Sequence, residues 1–197
     1  MHVLPVAKRA GAKSKKQNWP GWVIWLFIPD RRFKNRTRRS WANMDMIWNT
    51  DFAIAQTACL ARSLKHWTGR ELLAGVSGPA ELAQKVFAAP FVVVSHGTEA
   101  DPVLNYGNHT ALTLWEMSWA ELTRKPSRLT AEAPNREERA RLLAAVTLRG
   151  FIDDYSGMRI SKSGRRFRIA RATVWNLVTE AGKPCGQAAM FDRWEFV

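Results

Sequence analysis

The sequence predicts an α+β domain in which a five-stranded antiparallel sheet carries its helices on one face and follows a long N-terminal flanking helix. Three observations predict it. Between residues 46 and 67 apolar side chains recur at helical spacing with no Pro or Gly among them. Residues 91–94 are a continuous Phe-Val-Val-Val run. After Gly150, two long strand-like stretches flank a Gly-containing turn, and the second alternates apolar with polar residues. With 197 residues, 46% of them apolar and 24% charged, the chain can bury one core, and disorder throughout is excluded.

The flanking helix is read from Trp48, Phe52, Ala55 and Cys59, continued by Leu60, Leu64 and Trp67, which share one helical face. Gly75, Ser77 and Gly78 form a loop, and Pro79 opens a second helix carrying Leu82, Val86 and Phe87 until Pro90 closes it. The apolar run at 91–94 is expected to be a strand covered on both faces. Asp101-Pro102 starts a turn, residues 103–106 make a second strand, and Gly107-Asn108 ends the hairpin. Asn108 caps a helix that turns Ala111, Leu112 and Trp115 inward. Ser118 and Glu121 have the spacing of a capping box, in which hydroxyl and carboxylate each satisfy a backbone N–H, and Pro126 stops that helix. Asn135 and Glu138 repeat the arrangement before a third helix, whose Leu142, Leu143 and Val146 face the core and whose end Gly150 marks. Strands at 151–161 and 165–178 then join through Lys162-Ser163-Gly164, with Phe167, Ile169, Thr173, Trp175 and Leu177 expected on one face. A turn at 180–183 leads to a last strand from Cys185 to about Trp194.

Charge is unevenly spread. Lys and Arg outnumber Asp and Glu by 30 to 17, a net +13. Residues 1–43 hold 11 basic and 1 acidic residue, so this arm carries net +10 and residues 44–197 only net +3. The arm, with Trp19, Trp22 and Trp25 in an apolar stretch between two cationic runs, is expected to be a poorly structured extension, with Met44 or Met46 the natural start. A sharper reading sets the tryptophans on one face of a helical turn and the cations against phosphates of an anionic membrane or a nucleic acid. A short apolar stretch followed by basic residues, with no small-residue cleavage site, argues against secretion. The two cysteines lie far apart without metal-ligand spacing, which argues against a disulfide scaffold or zinc module and for a reducing, cytoplasmic compartment. No apolar run reaches the roughly 18 residues of a membrane span.

The stretches SHGTEADPVLNYGNHTALTLWEMSWAELTRKPSRLTAE, NREERARLL, GFIDDYSGMRISKSGRRFRIARATVWNL and GQAAMFDRW, in this order, resemble the MEKHLA domain, a PAS-related module, in its bacterial stand-alone form. The resemblance covers about half the chain closely, and the leading helix also fits it. The basic arm at 1–43 has no counterpart in it; beyond the arm, the resemblance implies flanking helices at 44–88 and a MEKHLA/PAS-like domain at 89–197. It also implies a cavity between the helices and the inner sheet face that holds a small ligand or is filled by side chains.

Tyr106, Asn108, Trp115, Tyr155, Arg159, Trp175 and Gln187, with Phe167, are the candidates to line that cavity, a mixture of aromatic walls and a few polar groups. Trp115, Phe167 and Trp175 equally suit an ordinary core. For Arg159 and Gln187, inward placement without a partner would cost about 1 to 3 kcal/mol, which favours a functional reading. Its cofactor cannot be named from the sequence. His96 and His109, thirteen residues apart, make a poor metal or haem pair, and hydrogen bonding of His96 to the neighbouring turn is expected instead. The asparagine-cysteine-arginine string of photosensory flavin domains is absent, and Cys185 sits in a Pro-Cys-Gly turn away from any base. Asp153 and Asp154, adjacent on a strand, point to opposite faces and make no carboxylate pair. No metal site and no catalytic residue are therefore assigned. The basic cluster of Arg159, Lys162, Arg165, Arg166, Arg168 and Arg171 on one hairpin is expected to solvate an exposed face or to pair with Asp153, Asp154 and Glu180.

These readings lead to a non-enzymatic sensory or interaction module that binds a small ligand or a protein partner and acts in regulation. PAS-like domains commonly dimerise through such a flanking helix, so Trp48, Phe52, Ala55 and Cys59 are the expected homodimer interface. The same stripe could instead pack on its own sheet. The alternatives are a nucleic-acid-associated regulator using the basic arm and an unrecognised enzyme.

Overall fold

The computed structural model of the chain describes residues 47–133 and 136–197. The arm at 1–43, the putting of the natural start at Met44 or Met46, and the Asn135 cap lie outside the described residues. Helix α1 (Asp51–Thr68) is followed by α2 (Pro79–Phe87), then strands β1 (Val92–His96) and β2 (Leu104–Gly107). Helices α3 (His109–Trp115) and α4 (Trp119–Leu122), a 3₁₀ turn (Ser127–Thr130) and α5 (Arg136–Arg149) lead to β3 (Phe151–Ile160), β4 (Arg166–Val178), β5 (Pro184–Phe191) and β6 (Arg193–Phe196).

All strand pairs are antiparallel, in the order β2-β1-β5-β4-β3, with β6 beside β4. The expected last strand is thus two. Thr173 faces Met190 and Ala170 faces Arg193, so β5 and β6 run along β4 in one register. The break falls at Asp192, opposite Arg171, whose φ is 56°.

Left-handed Arg171 also overturns the expected face assignment. Phe167, Ile169 and Ala172 pack with Trp115, Leu112, Leu122 and Phe191 on the inner face. Trp175 and Leu177 pack with Leu60, Leu64, Val86 and Val93 on the outer face. A single residue out of strand geometry moves every later side chain to the opposite face. Strand β3 has a matching irregularity between Ile152 and Tyr155, where Asp154 has φ 64°. Below it, Tyr155, Gly157 and Arg159 face Ala172, Ile169 and Phe167.

Helices therefore cover both faces, α3 to α5 the inner and α1 with α2 the outer. The stripe that α1 turns to the sheet is Ala53, Thr57, Leu60 and Leu64, all fully buried. It runs one residue away from the aromatic stripe in the helix's first half. Thr57 can sit there because its hydroxyl donates to the Ala53 carbonyl (2.7 Å). The dock is completed by polar contacts to the end of β4: Trp67 Nε1 donates to the Asn176 carbonyl (2.9 Å) and the Val178 N–H donates to Ser63 Oγ (3.0 Å). Burying Leu60 and Leu64 contributes roughly 1.5 to 3 kcal/mol each.

The capping signals are realised. Asn108 accepts from the Ala111 N–H, and at Ser118 both bonds of the capping box with Glu121 are present. The basic hairpin pairs with other acids than expected. Lys162 meets Glu121 (2.6 Å) and Arg166 meets Glu132 (3.0 Å), while Asp153 is held by Arg70 (2.7 Å) and Glu180 by Arg62 (3.6 Å).

Candidate functional site

Between α5 and the inner sheet face lies a cavity of about 50 Å³. Its apolar wall includes Val94, Leu104, Leu142, Leu143, Ile169, Val174 and Phe191, and its polar residues include His96, Trp115, Arg139, Tyr155, Arg159 and Gln187. The local geometry follows from β3. Its alternation puts Tyr155 and Arg159 on the inner face with Gly157 between them. A Cβ at Gly157 would collide with the Tyr155 hydroxyl and lie 3.1 Å from Arg159 Nη1. Without it, the Arg159 guanidinium sits 5.4 Å from the Tyr155 ring centroid, and its Nη2 donates to Tyr155 Oη (3.3 Å).

Arg159 is only 7% exposed. Its other bond goes to the Met158 carbonyl (2.7 Å), and it has no carboxylate partner among the described residues. Arg139, half-buried on α5, has neither hydrogen bond nor ion pair among the described residues. Its guanidinium is pushed down to about 10, first by burial and then by the charge of Arg159, with Tyr155 opposing. His96 Nδ1 donates to the Gly97 carbonyl (2.8 Å), the turn contact its position suggested. That bond makes Nε2 the bare nitrogen of the neutral ring, and Nε2 is buried without a partner. Burial lowers the pKa of His96, the Gly97 carbonyl and Glu99 raise it, and Arg139 lowers it further. Trp115 Nε1 is likewise buried and unpartnered, while its ring packs edge-on against Phe167 (5.5 Å) and Phe191 (6.1 Å). Gln187 is tied to α5, its Nε2 donating to the Leu143 carbonyl and Thr147 Oγ1 (both 3.1 Å).

Of the seven candidates, the structure brings Trp115, Tyr155, Arg159 and Gln187 together at the cavity. Tyr106 lies in the outer cluster, its hydroxyl near Thr57 (3.5 Å) and pushed up to about 12 by burial. Trp175 lies there too, on the far side of the Arg171 switch. Asn108 is fully buried, and its amide is engaged in structure. Oδ1 accepts from the Val93 and Ala111 N–H groups, and Nδ2 donates to the Val86 and Phe91 carbonyls. Sequence reasoning missed Arg139. The available signal was its position three, four and seven residues before Leu142, Leu143 and Val146, on the face of α5 that meets the core.

The expected interface stripe is not kept together: Trp48 lies in the turn before α1 and packs against the inner cluster, Phe52 (51% exposed) and Ala55 face outward, and Cys59 turns to the sheet. There its Sγ lies 3.8 Å from that of Cys185, which sits in β5 rather than in a turn. Burial first, and then Cys59, push the Cys185 thiol up to about 11. Among the described residues no helix is long and apolar enough to cross a membrane, and no group of His, Cys, Asp or Glu is arranged to hold a metal.

A family model described as the MEKHLA domain matches residues 54–196, taking in most of α1 together with α2 and the whole sheet. No curated protein matches the chain. Among solved structures, the PAS domain of a protein from Colwellia psychrerythraea is 14% identical with a TM-score of 0.49, over 58% of this chain and 92% of that one. An RNA-binding light-oxygen-voltage receptor is 16% identical with a TM-score of 0.50, over 63% of this chain and 36% of the receptor. A light-oxygen-voltage domain described with a flavin analogue is 16% identical with a TM-score of 0.47, over 59% of this chain and 84% of that one. At 16% identity and a TM-score of 0.50, the likeness to the RNA-binding receptor is one of fold alone.

Proposed function

Since the chain belongs to the MEKHLA domain family and has a PAS-like fold, we propose that it is a non-enzymatic sensory module whose inner cavity holds a small molecule. Occupancy changes how α5 packs on the sheet, and a regulatory partner reads that change. The observation that carries this reading is the cavity's polar wall: groups from β1, α3, α5 and β3 converge there, His96 Nε2 and Trp115 Nε1 are buried without a partner, and the Arg139 guanidinium has none among the described residues. Buried polar atoms left unpaired cost stability, and a ligand that pairs them recovers it. A flavin-sized group does not fit, because about 50 Å³ is far below the roughly 300 to 1,000 Å³ of drug-sized sites.

Native mass spectrometry of the freshly purified chain tests the proposal. Added mass that denaturation releases, and that Ala189→Phe in the cavity wall removes, is expected. A chain of bare mass whose melting no small molecule raises would overturn it. Self-association through Phe52 and Ala55 of α1 is the second part of the proposal, supported by their outward placement. Sedimentation velocity is expected to show a dimer that Phe52→Glu with Ala55→Glu converts to a folded monomer; a wild type monomeric at tens of micromolar would remove this part.

A further inference from the structure

Resting on the reading of the inner cavity as a ligand pocket, we propose that its ligand is a small carboxylate anion, of the size of acetate or lactate, clamped between Arg139 of α5 and Arg159 of β3. Three observations converge on this. The first is charge. Two guanidiniums line one small cavity, and among the described residues no Asp or Glu lines it. Arg159 bonds only a phenol and a main-chain carbonyl, and Arg139 bonds nothing among the described residues. Cations removed from water without an anion are costly, and a planar carboxylate matches the guanidinium fork.

The second is hydrogen-bonding capacity. Trp115 Nε1–H is a donor without an acceptor. His96 has the opposite character: with Nδ1 committed to the Gly97 carbonyl, its neutral ring offers a bare Nε2 that accepts. A hydroxyl beside the carboxylate would donate to it, so a 2-hydroxy acid satisfies more of the wall than a plain acid does. The third is size and polarity. About 50 Å³ admits only a few heavy atoms, and Val94, Leu104, Leu142 and Val174 offer a short apolar tail a dry contact that inorganic phosphate cannot use. Gly157 supplies the room, since any side chain there would push Tyr155 and Arg159 apart.

The clamp also provides the signal. Among α5 residues only Val146 is fully buried, so the helix is held by few apolar contacts. A carboxylate bridging Arg139 to Arg159 ties α5 to β3 across the cavity.

Isothermal titration calorimetry and thermal melting of the full chain with sodium acetate, lactate and phosphate, at constant ionic strength, test this. Lactate is expected to bind tightest and acetate next, with phosphate no better than chloride. Arg139→Met is expected to lose at least tenfold in lactate affinity while melting no lower without ligand, because the half-buried charge it removes has no partner among the described residues. If Arg139→Met fails to fold, Trp115→Phe and His96→Gln carry the test, each expected to lose several-fold in lactate affinity. Phosphate binding without carboxylate binding would overturn the carboxylate assignment. A neutral molecule released on denaturation, and retained by Arg139→Met, would overturn the anion clamp but leave the cavity as a ligand pocket. No bound mass and no melting shift with any probe would overturn both.

Discussion

At Arg171 and Asp154 the backbone takes left-handed values, φ 56° and 64°, in neighbouring strands. For a residue with a Cβ this conformation costs about 1 to 2 kcal/mol. Here it splits β4 into a half that lines the inner face and a half that supports α1. Period-two alternation cannot reveal such a switch, because Arg carries no mark of a left-handed site and Asp only a weak one beside that of Gly. Trp175 was for that reason legible as buried but not as belonging to the outer core. Arg171→Val, whose branched Cβ resists this geometry, is expected to lose about 1 to 2 kcal/mol in urea unfolding; an unchanged midpoint would mean that β4 does not need the bend. His96 gives a pH signature. Burial, with Arg139, lowers its pKa in the fold below the free value of about 6.5. The unfolded chain then binds more protons, so stability present above pH 6.5 falls as pH drops through that value and levels off below the folded pKa. Half-buried His109, also lowered by burial, adds to the fall. Glu121, held down to about 2, acts only below about pH 4.5. His96→Gln is expected to flatten the pH 7 to 5 part of the curve, leaving the His109 share.

At the scale of elements, the parts announced by local chemistry were legible: Pro79 opening α2, Asn108 capping α3, Ser118 with Glu121 opening α4 and Gly150 closing α5. Each is a bond or dihedral set within a few residues. The face of α1 was less so, because side-chain type favoured Phe52 and Ala55 while the sheet took Ala53 and Thr57. Gly150 is where three elements meet. Its φ is 90°, and a Cβ there would run into the Trp67 ring of α1. Gly150→Ala is expected to cost about 2 to 4 kcal/mol, from backbone strain and overpacking together, with thermal unfolding as the measure. The docking of α1 has a direct check in Cys59 and Cys185. Two-electron oxidation by a diamide-type reagent, which takes up both thiol hydrogens as the sulfur–sulfur bond forms, is expected to join them within one chain. A chain that keeps both thiols, or cross-links only between molecules, would contradict this packing.

At the scale of the molecule, the order of strands and helices and the antiparallel sheet were legible, because loop punctuation and periodicity survive any choice of face. Four of the seven residues named from the sequence as candidates share one cavity. Trp115, Tyr155, Arg159 and Gln187 meet at the cavity, whereas Arg139 entered it from α5 unseen, since helix-to-sheet proximity is a tertiary fact. On the proposed function, a small molecule in this cavity fastens α5 to the sheet. The most direct measurement is hydrogen–deuterium exchange of the full chain as purified, compared with the same chain after denaturation, dialysis and refolding, and again after adding lactate. Amides of α5 from Arg139 to Arg149 are expected to exchange several-fold faster after stripping and to regain protection with lactate, while those of α1 stay unchanged. Identical exchange in α5 under all three conditions would contradict it.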